Sequence, residues 1–267
     1  MSLPTIYEGK SKSLESIPGL GYRFTERNGG VSAPPFASLN LGLHVGDDPE
    51  AVRENRLRAA EALGFSLSQM VCGEQVHGGN VAVVTRQDAG RGATDFASAL
   101  PGVDALVTET PGVLLALFFA DCVPVLLADP VRRVVAFAHA GWRGLVTGVI
   151  ANTVTTMGTH FGCNPSDLIA AIGPCIGPEM FEVGQEVAVH FPNETIAPAH
   201  PEGKPHIDLP SATLRLLLEA GVPPGQVTIS GFCTYSDSTR WFSHRRDAGR
   251  TGRMGAFIGL RDSFSPS

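Results

Sequence analysis

Residues 120–144 read ADCVPVLLADPVRRVVAFAHAGWRG, and this stretch decides how the chain folds. Two apolar runs, 123–128 and 134–138, flank Asp129-Pro130-Val131-Arg132, the pattern of two strands joined by a turn. A hairpin centred between Pro130 and Val131 sets Cys122 opposite His139, with Cβ atoms roughly 4.5–5.5 Å apart. A thiol and an imidazole that close suit a shared metal ion or a nucleophile–base pair. They equally suit a plain core, since free cysteine is among the most buried residue types.

Outward from the hairpin, 103–108 and 113–119 are continuous apolar runs, as expected of strands covered on both faces. Shorter strands are predicted at 22–25, 70–72, 81–85, 168–173, 227–230 and 256–260. Asp48 followed by Pro49 starts a helix that runs to about Leu63 and stops at Gly64. Further helices are predicted over 145–157, 186–191 and from Pro210 to Ala220. Strands that follow one another with few helices between them predict α+β architecture, a layered α/β/β/α arrangement with mixed sheets. With no repeat, composition break or charged linker, 21–267 reads as one domain. Residues 1–20, rich in Ser, Lys and Pro, read as a poorly ordered lead-in. Residues 90–101 read as a mobile loop and 192–205 as a Pro-rich one.

The chain has 267 residues, of which 43% are hydrophobic and 17% charged, enough to bury a sizeable core. A net charge of −6 argues against a general nucleic-acid binder or a basic membrane-surface protein. The most apolar region is broken by Asp121, Asp129, Arg132 and Arg133, so it is a core and not a membrane span. Five cysteines without a CxxC pair point to a reduced, cytosolic chain rather than a disulfide framework.

His77 precedes Gly78 and Gly79, on a loop whose backbone can approach a neighbour closely. Gln75, two residues earlier, points to the same side if the segment is extended. A catalytic zinc has three protein ligands and one open position, and His77, Cys122 and His139 would make such a set. Spacing alone does not single them out, because His77 lacks an HxH or HxxxH partner. Arg143, in a Gly-Trp-Arg-Gly turn between strand and helix, suits an anion. Arg56 shares a helix face with Val52, Ala59, Ala60 and Leu63; its stem is expected to pack while its head reaches solvent. Residues 242–247 are a basic cluster, continued by Arg250 and Arg253, and Arg245 and Arg246 equally suit a surface ion-pair network.

Several blocks occur in one order: GGVS (29–32), SLNLG (38–42), GDD (46–48), QVHG (75–78), ADCVPVLLADP (120–130), HAGWRG (139–144), IGPCIG (172–177), FEVG (181–184) and SHRRDAGRTGR (243–253). Together they resemble the YfiH-like family, from about residue 20 to 260. Its members also carry the labels laccase-domain, polyphenol oxidase, purine nucleoside phosphorylase and peptidoglycan editing factor. The resemblance implies a single-domain α/β/β/α sandwich in the cytoplasm, with a catalytic zinc held by His77, Cys122 and His139. It implies phosphorolysis of adenosine, inosine and methylthioadenosine to base and ribose 1-phosphate, with phosphate as co-substrate, and hydrolytic deamination of adenosine. Within that reading Arg143 is the first candidate for a phosphate clamp, with Arg56 and Arg245–Arg246 behind it. Asn40 and Gln75 are candidate substrate contacts, and Cys175 has no assigned role.

Three alternatives follow from the same residues. Copper could occupy the site adventitiously, but a multicopper oxidase uses HxH pairs, and none occurs among the eight histidines. A Cys122–His139 hydrolase would use the thiolate as nucleophile, and for it the family resemblance implies an amidase acting on peptidoglycan precursors. A non-catalytic binding module would tolerate loss of His77 or Cys122.

Overall fold

In the computed structural model, which describes residues 12–197 and 203–262, the opening segment forms the centre of a two-sheet sandwich. In chain order the elements are α1 (Lys12–Glu15), β1 (Leu20–Phe24), α2 (Pro49–Glu61), β2 (Met70–Cys72), β3 (Val81–Val83), β4 (Ala105–Thr108), β5 (Leu114–Phe119), β6 (Val123–Asp129), β7 (Val134–Ala140), α3 (Trp142–Val146) and α4 (Val149–Phe161). There follow β8 (Ile169–Ile172), α5 (Gln185–Ala188), β9 (Ile196–Ala197), β10 (His206–Ile207), α6 (Leu209–Glu219), β11 (Val227–Ile229) and β12 (Met254–Leu260). The larger sheet has the order β11-β8-β6-β7-β4-β3, and the smaller β1-β12-β5-β2. Each is mixed: β3 runs parallel to β4, β8 to β11 and β2 to β5, while the remaining pairs in the two sheets are antiparallel.

The alternation of side chains along a strand explains the layering. Leu126 and Ala128 of β6 and Val135 and Phe137 of β7 meet Leu115, Leu117, Ala256 and Ile258 of the smaller sheet. The intervening residues, Val125, Leu127, Val134 and Ala136, face outward and are covered by Val149, Ile150, Val154 and Met157 of α4 and Leu217 of α6. On the far side, Ala116, Phe118 and Phe257 are covered by Ala59 and Ala60 of α2. The arrangement is α/β/β/α, as expected of continuous apolar strands sandwiched between layers.

The hairpin register differs from the prediction. Pro124, not Cys122, pairs with His139, and Asp129 pairs with Val134 around a loop from Pro130 to Arg133. The turn is longer than predicted because the Asp129 carboxylate accepts from the backbone N–H groups of Val131 and Arg132, 2.8 and 2.9 Å away. Arg133 closes it with a φ of 55°. The shift in partner is two residues, so every side chain keeps its face. Cys122 therefore remains beside His139 as a diagonal neighbour.

Other expectations also need correction. Residues 1–11 lie outside the described residues, but the rest of the supposed lead-in is packed: Leu14, Ile17 and Leu20 are buried in the inter-sheet core. Residues 90–101 hold buried Ala93, Ala99 and Leu100 and a turn of 3-10 helix over Phe96–Ser98. The predicted 145–157 helix is two helices, α3 and α4, because Gly148 turns the chain with a φ of 85°. The break lets the His77 loop dock: a Cβ on Gly79 would lie 2.4 Å from Thr147 O, so only glycine fits. Within 192–205, where 198–202 lie outside the described residues, Ile196–Ala197 forms β9, which pairs with β10 just after the loop.

Candidate metal centre

Asp104 organises the site from the start of β4. It is fully buried, and its carboxylate accepts from the backbone N–H groups of Val76 (3.1 Å), His77 (2.8 Å) and Gly78 (2.7 Å). These bonds hold the loop in a conformation where Gln75 and His77 have φ near 60°. The same carboxylate accepts from His139 Nδ1 at 2.9 Å, so Nε2 is the nitrogen left to ligate a metal once it gives up its proton. Burial alone would raise the Asp104 carboxyl, but the His139 hydrogen bond and charge and the loop N–H groups hold it below its ordinary value. The sequence reading missed Asp104, which lies inside the apolar run 103–108 and is marked by no motif there.

Cys122 is presented by an unusual neighbour. Asp121 has a φ of 87°, held by Thr234 Oγ1 donating to Oδ1 (2.7 Å), Arg245 N–H donating to Oδ2 (2.7 Å) and Ile176 N–H donating to its carbonyl (2.9 Å). The ligand atoms of His77, Cys122 and His139 lie within 4.8 Å of one another. One ion with bonds of about 2.0–2.3 Å can draw such a set together. Burial opposes a Cys122 thiolate, yet the charge of His139 and hydrogen bonds from His139 and His77 bring the thiol down to about 6. Burial likewise opposes a charged His139, but the Cys122 charge and the Asp104 hydrogen bond lift it to about 9. Gly141 keeps the space open: a Cβ there would lie 3.0 Å from both Cys122 Sγ and His77 Cδ2.

A cavity of about 580 Å³ opens over the three ligands. Phe96, Phe119, Trp142 and Phe181 give it aromatic walls, and Arg143, Arg245 and Arg253 line it. Arg143 stacks on Trp142, 4.4 Å from the ring centroid, and its guanidinium makes no hydrogen bond among the described residues. Because α3 has only five residues, any anion binding here rests on the arginine rather than on a helix dipole. Arg245 donates to Glu182 O, while Arg246 is committed to the carbonyls of Thr234, Tyr235 and Trp241 and to Asp247.

Three predicted substrate contacts have other work. Arg56 is buried rather than solvated; it donates to the carbonyls of Leu41, Gly92 and Ala93 and sits 4.0 Å over the Phe118 ring. Carbonyls, not an anion, satisfy it. Asn40 is fully buried outside the cavity, accepting from Gly42 N–H and from Arg253 N–H at 2.8 Å. Gln75 borders the cavity, but its amide is committed at both ends to the backbone of Phe118. The sequence reading missed His44, which packs against Phe96 with ring centroids 5.4 Å apart and the rings tilted by 45°. Burial and the charges of Arg253, Arg56, His139 and His77 push it down to about 4, so it is neutral at neutral pH.

Residues 21–261 match the family described as "Multi-copper polyphenol oxidoreductase laccase". The chain belongs to this family. Its relatives carry the YfiH and YlmD names, which makes it a member of the YfiH-like family. "Purine nucleoside phosphorylase YlmD" of Geobacillus stearothermophilus is 48% identical over 248 residues, covering 90% of each chain. "Purine nucleoside phosphorylase YfiH" of Escherichia coli is 41% identical over 238 residues, covering 88% of this chain and 91% of that one. The crystal structure of the Geobacillus stearothermophilus YlmD superposes with a TM-score of 0.90 at 44% identity, over 97% of this chain and 100% of the other. A Bacillus licheniformis YfiH structure, titled a hypothetical protein, gives 0.89 at 40% identity over 92% and 95%.

Proposed function

We propose that this YfiH-like chain is a zinc-dependent purine nucleoside phosphorylase of the cytoplasm. Adenosine, inosine and methylthioadenosine are its substrates, with inorganic phosphate, and hydrolytic deamination of adenosine is a second activity. The observation that carries the proposal is an open Cys-His-His cluster on an aromatic cavity lined by three arginines. The names of the relatives point the same way. Among the described residues no helix is long and apolar enough to cross a membrane.

Phosphorolysis joins a phosphate oxygen to ribose C1′ and breaks the C1′–nitrogen bond, the purine leaving with a proton. Arg143, Arg245 and Arg253, which line the cavity, would hold the phosphate charge. Phe96, Phe119 and Trp142 offer apolar faces for a purine. Neutral His44 can hydrogen-bond without adding charge. His77, Cys122 and His139 would hold the zinc, with Asp104 fixing His139, and Gly141 leaves the ion room. A bound zinc supplies Lewis acidity and a hydroxide at neutral pH, the chemistry deamination requires.

Copper outranks zinc in intrinsic affinity for such ligands. A multicopper array needs further clusters, and His77-Cys122-His139 is the one cluster of three or more found among the described residues. One observation favours the Cys122–His139 amidase chemistry instead: the Asp104 carboxylate orients His139, whose ring lies within reach of the Cys122 sulfur. Incubation with adenosine, with and without phosphate, separates the readings. Adenine and ribose 1-phosphate appearing only with phosphate is the expected result; inosine alone would leave deamination only, and no turnover would refute both activities. Cys122→Ala should lose metal and phosphorolysis together. Metal content unchanged in that variant would overturn the site, and full activity in metal-stripped protein would favour the thiolate nucleophile.

A further inference from the structure

Away from the metal centre, two free cysteines stand side by side. Cys175 follows β8, Cys233 follows β11, and the two pair directly in an isolated parallel bridge. Cys175 N–H donates to Phe232 O at 3.3 Å, and Thr234 N–H donates to Cys175 O at 2.9 Å, which fixes the pairing. Paired strands lie about 4.8 Å apart, inside the roughly 4.4–6.8 Å Cα separation that a disulfide accepts. Both residues line one cavity of about 320 Å³, shared with Met180, Asp208, Ser211 and Phe232.

Their access differs. Cys175 is 2% exposed, whereas Cys233 is partly open. Gly177 N–H donates to Cys233 Sγ at 3.1 Å, which fixes the sulfur at the edge of the cavity. Burial and the neighbouring Cys233 push the Cys175 thiol well above its ordinary value, which makes it the slower, resolving partner. An attack would therefore begin at Cys233.

We infer that Cys175 and Cys233 form a modification site at which a low-molecular-weight disulfide installs a cross-link. The Cys233 thiolate attacks one sulfur of the incoming disulfide, forms a mixed disulfide and expels a thiolate, which takes the proton Cys233 gave up. The Cys175 thiolate then attacks Cys233 Sγ, and the second small thiol leaves with the Cys175 proton. The protein loses one electron pair and the reagent gains it. The cross-link joins the two segments that hold Asp121, through Ile176 N–H and Thr234 Oγ1, next to the ligand Cys122.

The test uses the zinc-loaded full chain with excess oxidised glutathione, followed by alkylation, digestion without reductant and mass spectrometry. The expected product is a Cys175–Cys233 peptide lighter by two hydrogen atoms than its reduced parts, with Cys72, Cys122 and Cys163 still alkylated. Cys175→Ser should stop at a stable glutathione adduct on Cys233, and Cys233→Ser should give neither product. A lasting adduct on Cys233 in the unsubstituted chain, two unreacted thiols, or a cross-link to Cys122 would each overturn the inference. The peptide map of the unsubstituted chain decides the matter whether or not the variants fold.

Discussion

Asp104 does four things with one carboxylate: it accepts three loop N–H groups and orients His139. In Asp104→Asn one of those acceptors becomes an NH₂ facing donors, and His139 loses its charged partner. Outer partners of this kind are worth about 10–100-fold in metal affinity. Zinc affinity, read by competition with a chromogenic chelator, should fall by that much, with phosphorolysis falling in step. An unchanged affinity would show that Asp104 serves only the loop. Gly141 tests the space beside two of the candidate ligands, where a methyl group would crowd Cys122 and His77 at 3.0 Å. Gly141→Ala should weaken zinc binding about tenfold or more, by the same outer-contact scale, while far-ultraviolet circular dichroism stays that of the parent. These two residues act through geometry that the sequence does not display. Cys122 and His139 could be read from their own hairpin, but His77 was tied to them by the family resemblance, and Asp104 becomes visible only when β4 is laid beside β7.

Among the elements, long uniform strands and capped helices were legible, and the places where tertiary contacts override local signals were not. Asp48 and Pro49 start α2 as predicted, with Asp48 Oδ1 accepting from Glu50 N–H at 3.0 Å. The 145–157 helix was misread because its apolar spacing continues through Gly148, where the chain needs a left-handed residue to let the His77 loop in. The hairpin register was misread because the side chain of Asp129 satisfies two turn N–H groups, which lengthens the loop. Arg56 was misread for a related reason: a buried cation can be satisfied by carbonyls when two loops converge on it. That convergence gives a prediction. Arg56→Leu keeps the apolar stem but strands three carbonyls, each costing about 1–3 kcal/mol when buried. Chemical unfolding should show a loss of about 3 kcal/mol or more, and a loss near zero would mean that water reaches the carbonyls from the surface. Zinc affinity should hold in the variant that remains folded, because Arg56 touches none of the three ligands.

At the scale of the molecule, the candidate metal centre lies at one end of a sandwich whose core is built without it. Three apolar clusters, one between the sheets and one on each outer face, bury β4–β8 and β12 under α2, α4 and α6. The site borrows this frame: His139 comes from β7, Asp104 from the start of β4, Cys122 from the entry to β6, and His77 from the loop docked on Thr147. A chain that folded only around its metal would need the ion to replace a core, as small zinc domains do. Here the core is complete without it. Chelator-treated protein should therefore keep its circular dichroism spectrum and unfold in a cooperative transition. Zinc that binds only the folded state stabilises it by mass action, by about 4 kcal/mol at a thousandfold excess over Kd. For a chain of this size each kcal/mol raises Tm by roughly 2–4 °C, so restoring zinc should raise Tm on the order of 10 °C. Cys122→Ala should fold with a Tm near that of the chelated parent and gain little from zinc. Loss of the folded spectrum on chelation would make the ion part of the architecture, and a full zinc-induced rise in Cys122→Ala would place the ion elsewhere in the molecule.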